Sequence, residues 1–470
     1  MAEPPKPPLP SLAYSLTPAI CLILLLFVSV ALLEASGHIP LIAATVVAAL
    51  VAVAGLKQPW KQIEQGIFDS IRHALPAILI LMAVGLLIGV WIASGVVPLL
   101  IHYGLQLLAP RYFLAATCLA CGLVSLATGS SWSTAATIGL ALVGVGQTLG
   151  ISAGMTAGAV ISGAYFGDKM SPLSDTTNLA SASAGADLFE HIRHMLYTTV
   201  PALAIALVAY LVMGLRLDTL ASGQSESYVE MTQTLSSSFN LSPLLLIAPA
   251  IVLGLILRKT APLPALLAGA TAGAALLLIM QPHNAPDGVG SVISVLYSGY
   301  QSSSGVEAVD ELLSRGGLTS MMDTISLIIC AFSFGGVMEA SGMLQRLTQA
   351  VLSSARSVGS LIAATVATGV GMNILTADQY LAVVMPGRMY SQAYGERGLA
   401  PVNLSRAIED SATMTSPLVP WNTCGAYMAA VLGVSTGAYL PFAILNLVTP
   451  ILSIAYGLTG FSIRRIDRAD

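Results

Sequence analysis

The sequence predicts an all-α polytopic membrane protein made of two inverted-topology repeats whose helices break at membrane depth. Three observations predict it: scarce charge, apolar runs of span length, and two Gly- and Ser-rich regions that share short motifs in one order. Of 470 residues, 55% are hydrophobic and 9% charged, and mean hydropathy is +0.81. A soluble domain carries about 25% charged residues, so lipid must cover most of this surface. The net charge is −4. With no basic stripe of interleaved aromatics, the chain gives no nucleic-acid signal.

Residues 1–16, MAEPPKPPLPSLAYSL, read as a disordered leader. Its prolines place the first helix start near Thr17. It lacks the basic region and small-residue cleavage site of a signal peptide. A helical pair is expected over 17–74, the first repeat over 75–215, and outer loops with a connecting helical hairpin over 216–317. The second repeat follows over 318–463, and a basic tail closes the chain at 464–470. About 20 apolar residues cross a bilayer as a helix. Such runs fall near 17–35, 39–56, 75–95, 195–215, 243–258, 262–280, 320–340 and 438–460. Between 96–190 and 343–435 the apolar runs are short, broken by Gly, Ser, Thr, Asn and Asp. Interrupted backbone at membrane depth is tolerated only inside protein or beside a cavity. Cys21, Cys118, Cys121, Cys330 and Cys424 all lie in apolar segments, so they read as packing residues with no disulfide framework.

Basic residues in short loops mark the cytoplasmic side. Three groups qualify: Lys57, Lys61 and Arg72; Arg258 and Lys259; and Arg464, Arg465 and Arg468. The polar loops near 217–241 and 281–317 are acidic and are placed outside. Both termini are then cytoplasmic. On this count 75–215 starts inside and 318–463 starts outside. Ala93-Ser94-Gly95 recurs as Ala340-Ser341-Gly342, Ser171-Pro172-Leu173 as Ser416-Pro417-Leu418, and Thr128-Gly129 as Thr368-Gly369. The order is kept at near-constant separation. An inverted repeat of this kind places a transport site at the midplane between the halves.

Four polar constellations carry the chemistry. The first, Thr128 to Thr137, holds Ser130, Ser131 and Thr134 beside Gly129, where unwound backbone and hydroxyls supply oxygen ligands. Small-residue helix packing is the plainer reading of that stretch. The second, Ser162 to Asn178, contains Asp168, Lys169, Ser174, Asp175, Thr176 and Asn178. Pro172 breaks its helix, so Asp168 and Asp175 fall on opposite sides of the break. An intramembrane carboxylate is a functional candidate by default. The plainer reading is a solvated loop. The third holds Asn373, Thr376 and Asp378. The fourth runs from Glu409 and Asp410 through Thr413 and Ser416 to Asn422 and Thr423, with the two acids read either as part of the site or as a water-facing helix flank. His191 and His194 are read as part of an amphipathic interfacial helix rather than a metal site. No Walker A sequence, dinucleotide fingerprint or H-E-x-x-H motif is present. ATP, a bound cofactor and an intramembrane enzyme are therefore not expected.

The strings SGAYFGDKMSPLSDTTNLA (Ser162–Ala180), NLSRAIEDSATMTSPLVPWNTCGAYMAAVLGV (Asn403–Val434) and TGSSWSTAATIG (128–139) resemble the NhaC family of sodium/proton antiporters. Ser130 stands where some relatives carry Thr, so a hydroxyl is kept. The resemblance covers roughly 75–460. It implies a scaffold domain, a mobile transport domain with re-entrant hairpins, and a homodimer in a bacterial cytoplasmic (inner) membrane working by an elevator-like step. The transported partners implied are Na⁺ and H⁺. Relatives that exchange malate for lactate keep an organic acid open as a partner. Na⁺ is a hard cation that takes oxygen ligands, so Asp175 is expected at the centre with Asp168 beside it. Asn373 and Asp378 come from the other half. Lys169 is expected to pair with Asp168. The alternative is a sodium- and proton-coupled organic-acid exchanger, with Arg388 or Arg406 as possible countercharges that read as surface residues. A channel or receptor fits paired broken helices less well.

Overall fold

The computed structural model describes residues 9–33, 35–107, 109–218 and 225–466. Most of the expected leader (1–8), the loop residues 219–224 and Arg468 lie outside the described residues. The rest is helical, without a strand among the described residues. The first helices are α1 (Leu12–Leu26), α2 (His38–Leu50), α3 (Trp60–Ala93), α4 (Val96–Leu107) and α5 (Pro110–Thr128). Then come α6 (Ser131–Thr134), α7 (Leu140–Thr148), α8 (Ala153–Met170), α9 (Asp175–Ala184) and α10 (Leu188–Asp218). The connecting region holds α11 (Ser225–Ser238), α12 (Ile247–Leu257), α13 (Pro262–Met280), α14 (Val289–Ser298) and α15 (Glu307–Leu313). The second half holds α16 (Met322–Ala340), α17 (Met343–Ser353), α18 (Val358–Thr376), α19 (Gln379–Glu396) and α20 (Pro401–Ile408). It ends with α21 (Thr423–Leu432), α22 (Thr436–Tyr439) and α23 (Ile444–Thr459).

Among the described residues, eight helices are long and apolar enough to cross a membrane, and two bent helix pairs raise the number to ten. The chain is a multi-pass membrane protein. Large apolar side chains such as Ile20, Leu24, Val208 and Ile451 stay exposed around its outside, as a lipid-covered wall requires.

Several expectations shift. α1 begins at Leu12 rather than near Thr17, because Ser11 follows Pro10 and caps the helix by accepting from the Tyr14 amide. The run at 75–95 is the second half of α3, which starts at Trp60, so Lys61 and Arg72 ride on a helix rather than in a loop. The boundaries drawn at 74/75 and 215/216 fall inside α3 and α10. The run at 438–460 is interrupted by a 3₁₀ turn at Leu440–Phe442. Within the interrupted regions, α5 and α18 are nonetheless full spans.

The order of elements in the first half recurs in the second. α3 and α16 end at Ser94-Gly95 and Ser341-Gly342, with both glycines at positive φ. α5 ends at Gly129 (φ +71) and α18 at Ala377 (φ +58). Both helices thus end on a left-handed residue after a threonine, at Thr128-Gly129 and Thr376-Ala377, whereas Thr368 and Gly369 lie inside α18. A non-glycine in the left-handed region costs about 1–2 kcal/mol, so Ala377 is held there by what surrounds it.

α5 packs on α8 along Gly163 and Gly167, one turn apart. A Cβ at Gly163 would meet the Cys118 carbonyl at 2.1 Å, and one at Gly167 would meet the Leu126 amide at 2.3 Å. Cys118 and Cys121 are free and buried in this interface, as expected. Gly167→Ala forces backbone apart, and overpacking costs about 1–3 kcal/mol. A lowered unfolding midpoint in detergent is expected; an unchanged midpoint would show that α5 and α8 separate freely.

Candidate functional site

The helix breaks meet around one cavity of about 760 Å³. Gly129 follows α5, and a Cβ there would meet Leu173 at 2.7 Å. The turn after α5 is thus seated on the break between α8 and α9, and only glycine fits. Ser130 then caps α6 by accepting from the Ser133 amide. Between α8 and α9, Pro172 cannot continue the helix, and Ser174 restarts it by accepting from the Thr177 amide at 3.4 Å. In the second half Asp378 caps α19 through the Leu381 amide at 2.7 Å, and Asn422 caps α21 through the Cys424 amide at 3.0 Å. The Thr423 amide donates to the Ala377 carbonyl at 2.9 Å, tying those two breaks together.

Helices α9, α19 and α21 therefore begin here, while α5, α8 and α18 end here. Their C-terminal carbonyls are partly free acceptors and carry the negative end of the helix dipole. Such carbonyls suit a cation, and the opposing N-termini suit an anionic group.

Of the expected residues, Ser130, Asp168, Asp175, Thr176, Asp378 and Thr423 line the cavity. Asp168 ends α8 and Asp175 begins α9, one on each side of the break, as expected. Asp168 is 7% exposed; its Oδ2 accepts from the Ser131 Oγ at 2.6 Å and the Ser131 amide at 3.2 Å. Asp378 is 5% exposed, whereas Asp175 is open to the cavity. Thr134 turns away and donates to the Ser130 carbonyl at 2.9 Å. Asn178 closes the break by donating to the Pro172 and Ser174 carbonyls at 2.9 and 2.7 Å.

Asn373 does not reach the cavity. It is fully buried and donates to the Ala412 carbonyl at 2.7 Å and to Thr415 Oγ1 at 3.0 Å. Asn422 donates to Asn373 Oδ1 at 3.1 Å. The two amides brace the second break rather than line it. Thr413 is buried in the π-helical turn Glu409–Thr413, and the Ser416 hydroxyl donates to its carbonyl at 2.8 Å.

Four readings are corrected. Lys169 pairs with Asp410, not with Asp168, and both members are 0% exposed. Asp168 points at Ser131, while the lysine leaves α8 on the side that faces the second half. Glu409 and Asp410 are not a water-facing flank: both are buried, with Glu409 accepting from Thr176 Oγ1 at 3.2 Å and Asp410 from Thr198 Oγ1 at 3.0 Å. His191 and His194 are also buried, because the polar face of α10 packs on α20 and the chain's end instead of on headgroups. Arg406, read as a surface residue, is 1% exposed. The signal for this group was the density of charge within Glu409-Asp410 and Asp168-Lys169, which burial makes costly unless paired. Trp132, which lines the cavity, stacks on Tyr427 of the second half at 4.0 Å.

The cavity's rim carries Arg72, His73 and Lys259. Arg72 and Lys259 come from two of the basic groups that the sequence places on one side.

The chain matches the Na⁺/H⁺ antiporter family over residues 163–461. It is 39% identical to the Na⁺/H⁺ antiporter NhaC of Alkalihalophilus pseudofirmus, over 93% of this chain and 94% of that one. It is 37% identical to the Na⁺/H⁺ antiporter NhaC of Bacillus subtilis, over 91% and 93%. Over 85% of each chain it is 37% identical to the malate-2H⁺/Na⁺-lactate antiporter of Bacillus subtilis.

Proposed function

The chain belongs to the Na⁺/H⁺ antiporter family, and from that premise we propose that it exchanges Na⁺ for H⁺ across the bacterial cytoplasmic membrane by alternating access. It is a transporter, not an enzyme. The observation that carries the reading is the convergence of Asp168, Asp175 and Asp378 with Ser130, Thr176 and Thr423 on one cavity where helices end. Na⁺ takes the carboxylate, hydroxyl and free carbonyl oxygens there. Asn373, Asn422, Ser131 and Ser174 hold the ligand-bearing turns in place.

The exchange follows from competition. An ionised carboxylate at membrane depth costs several kcal/mol unless neutralised. Either H⁺ or Na⁺ neutralises it, and one excludes the other. If only loaded states cross, transport is obligatory exchange. The repeated element order supports two inverted repeats around this midplane site. The resemblance further assigns a scaffold, a moving transport domain and a homodimer. Arg72 and Lys259 on a shared rim support a cavity open to the cytoplasm, with both termini on that side.

A second reading has its own observation. A cavity of about 760 Å³ far exceeds the volume of an ion, and Arg72, His73 and Lys259 line one part of it. That space suits a small organic acid carried with Na⁺ and H⁺.

Proteoliposomes holding a pH dye, with the voltage clamped by potassium and valinomycin, separate the two. Proton movement on Na⁺ alone is expected, absent with K⁺ and lost in Asp175→Asn. Silence on Na⁺ alone, with a response once malate or lactate is added, would move the assignment to organic-acid exchange. Full exchange in Asp175→Asn would remove that carboxylate from the centre.

A further inference from the structure

Behind the cavity lies a buried polar stripe that the ion site does not use. α10 carries His191, His194 and Thr198 on one face, at helical spacing, and all three are buried. α20 and its π-helical extension carry Arg406 and Asp410 one turn apart. The two rows meet in register: Arg406 Nη1 lies 3.5 Å from His194 Nε2, and Thr198 Oγ1 donates to Asp410 Oδ1 at 3.0 Å. Lys169 closes on the same Asp410 oxygen from α8.

The stripe touches the ion cavity at one end. Thr176 lines the cavity and donates to Glu409 at 3.2 Å, and Glu409 adjoins Asp410 in the chain. At the other end His194 Nε2 lies 2.9 Å from the Ser462 carbonyl. There His194 lines a separate cavity of about 500 Å³ together with Glu190, Arg193 and Arg464.

Within the stripe, both ring nitrogens of His191, Asp410 Oδ2, Arg406 Nε and the Thr199 hydroxyl are buried with no protein hydrogen-bond partner. Leaving such a group unpaired costs about 1–3 kcal/mol, and buried water normally supplies the missing partner. Several such groups in one place make a polar seam rather than an apolar packing contact.

We propose that protons reach the ion site through this seam, entering beside His194 and passing His191, Thr198, Asp410 and Glu409, while Na⁺ uses the wide cavity. The proposal rests on the Na⁺/H⁺ exchange reading above. The charged and titratable groups facing the seam are Lys169 from α8, Arg406, Glu409 and Asp410 from the α20 region, Tyr394 from α19 and Tyr456 from α23. A hydrated Na⁺ entering there meets two buried cations, Lys169 and Arg406. On this proposal water fills the gaps around His191 and between Asp410 and Glu409, and each acceptor releases one proton as it takes the next.

The test compares two modes in the same proteoliposomes. Na⁺/H⁺ exchange is read by a pH dye, and Na⁺/Na⁺ exchange, which moves no net proton, by radioactive sodium. His191→Leu and Thr198→Val remove polar links without touching the cavity. Each is expected to slow Na⁺/H⁺ exchange about 100-fold, the low end of what a lost proton-transfer group costs, with Na⁺/Na⁺ exchange unchanged. Thr198→Ser keeps the hydroxyl and is expected to keep both modes. Equal loss in both modes would make the stripe a packing element, and no loss in either would send the proton through the wide cavity; each result overturns the proposal. A wild-type protein without Na⁺/H⁺ exchange would instead overturn the function reading, and the seam with it.

Discussion

Asp168→Asn is expected to abolish Na⁺-driven proton movement, with a loss of at least about 100-fold, while the protein still folds. The carboxylate ends α8 beside the cavity and accepts two hydrogen bonds from Ser131, one from the backbone amide and one from the hydroxyl. Asparagine keeps the volume and one accepting oxygen, so the turn after Gly129 stays seated. It removes the negative charge and the ionisable group together. Neither H⁺ nor Na⁺ then gains a countercharge at this position, and their competition disappears. Groups that only orient a metal ligand cost about 10–100-fold when removed, so Ser131→Ala belongs in that lower range. Calorimetric Na⁺ binding and dye-based exchange in the two variants, with unfolding midpoints as the control, check the order. Normal exchange in Asp168→Asn would remove Asp168 from the ion site and leave Asp175 and Asp378, the other carboxylates on the cavity.

The parts of the site legible in the sequence are those written by local chemistry. Pro172 ends a helix wherever it sits, and Gly129 admits a left-handed turn, so the breaks and the placement of Asp168 and Asp175 around them follow from neighbouring residues. The break at Ala377 carries no such mark, since alanine gives no sign of a left-handed turn, and by residue type Thr368-Gly369 is the nearer match to Thr128-Gly129. Burial of charge was illegible for a different reason. Whether Asp410 faces water or protein depends on Lys169, which lies in the other half of the chain. The same holds for His191 and His194, whose amphipathic pattern fits a membrane surface as well as it fits α20. Periodicity shows that a helix has a polar face; only the tertiary arrangement shows what covers it.

That dependence makes the Lys169–Asp410 pair the place where one substitution should cost the most stability. Both side chains are fully buried, and Asp410 is shared with the Thr198 hydroxyl. Removing one partner of a buried pair leaves an uncompensated charge and costs about 3–5 kcal/mol. Lys169→Met is therefore expected to give a large drop in the unfolding midpoint in detergent. Asp410→Leu is expected to do the same, by stranding the ammonium instead. The double variant should recover most of the loss, because two apolar groups of similar size remove the desolvation cost along with the attraction. In a double-mutant cycle the coupling then appears as strong non-additivity. Additive losses would mean that each charge finds another partner, Glu409 for the lysine or water for the carboxylate. Since the pair ties α8 of the first half to the π-helical turn of the second, recovered stability without recovered transport would separate its two roles. The halves would hold together through packing alone, while the seam beside Thr198 would have lost the carboxylate that receives its proton.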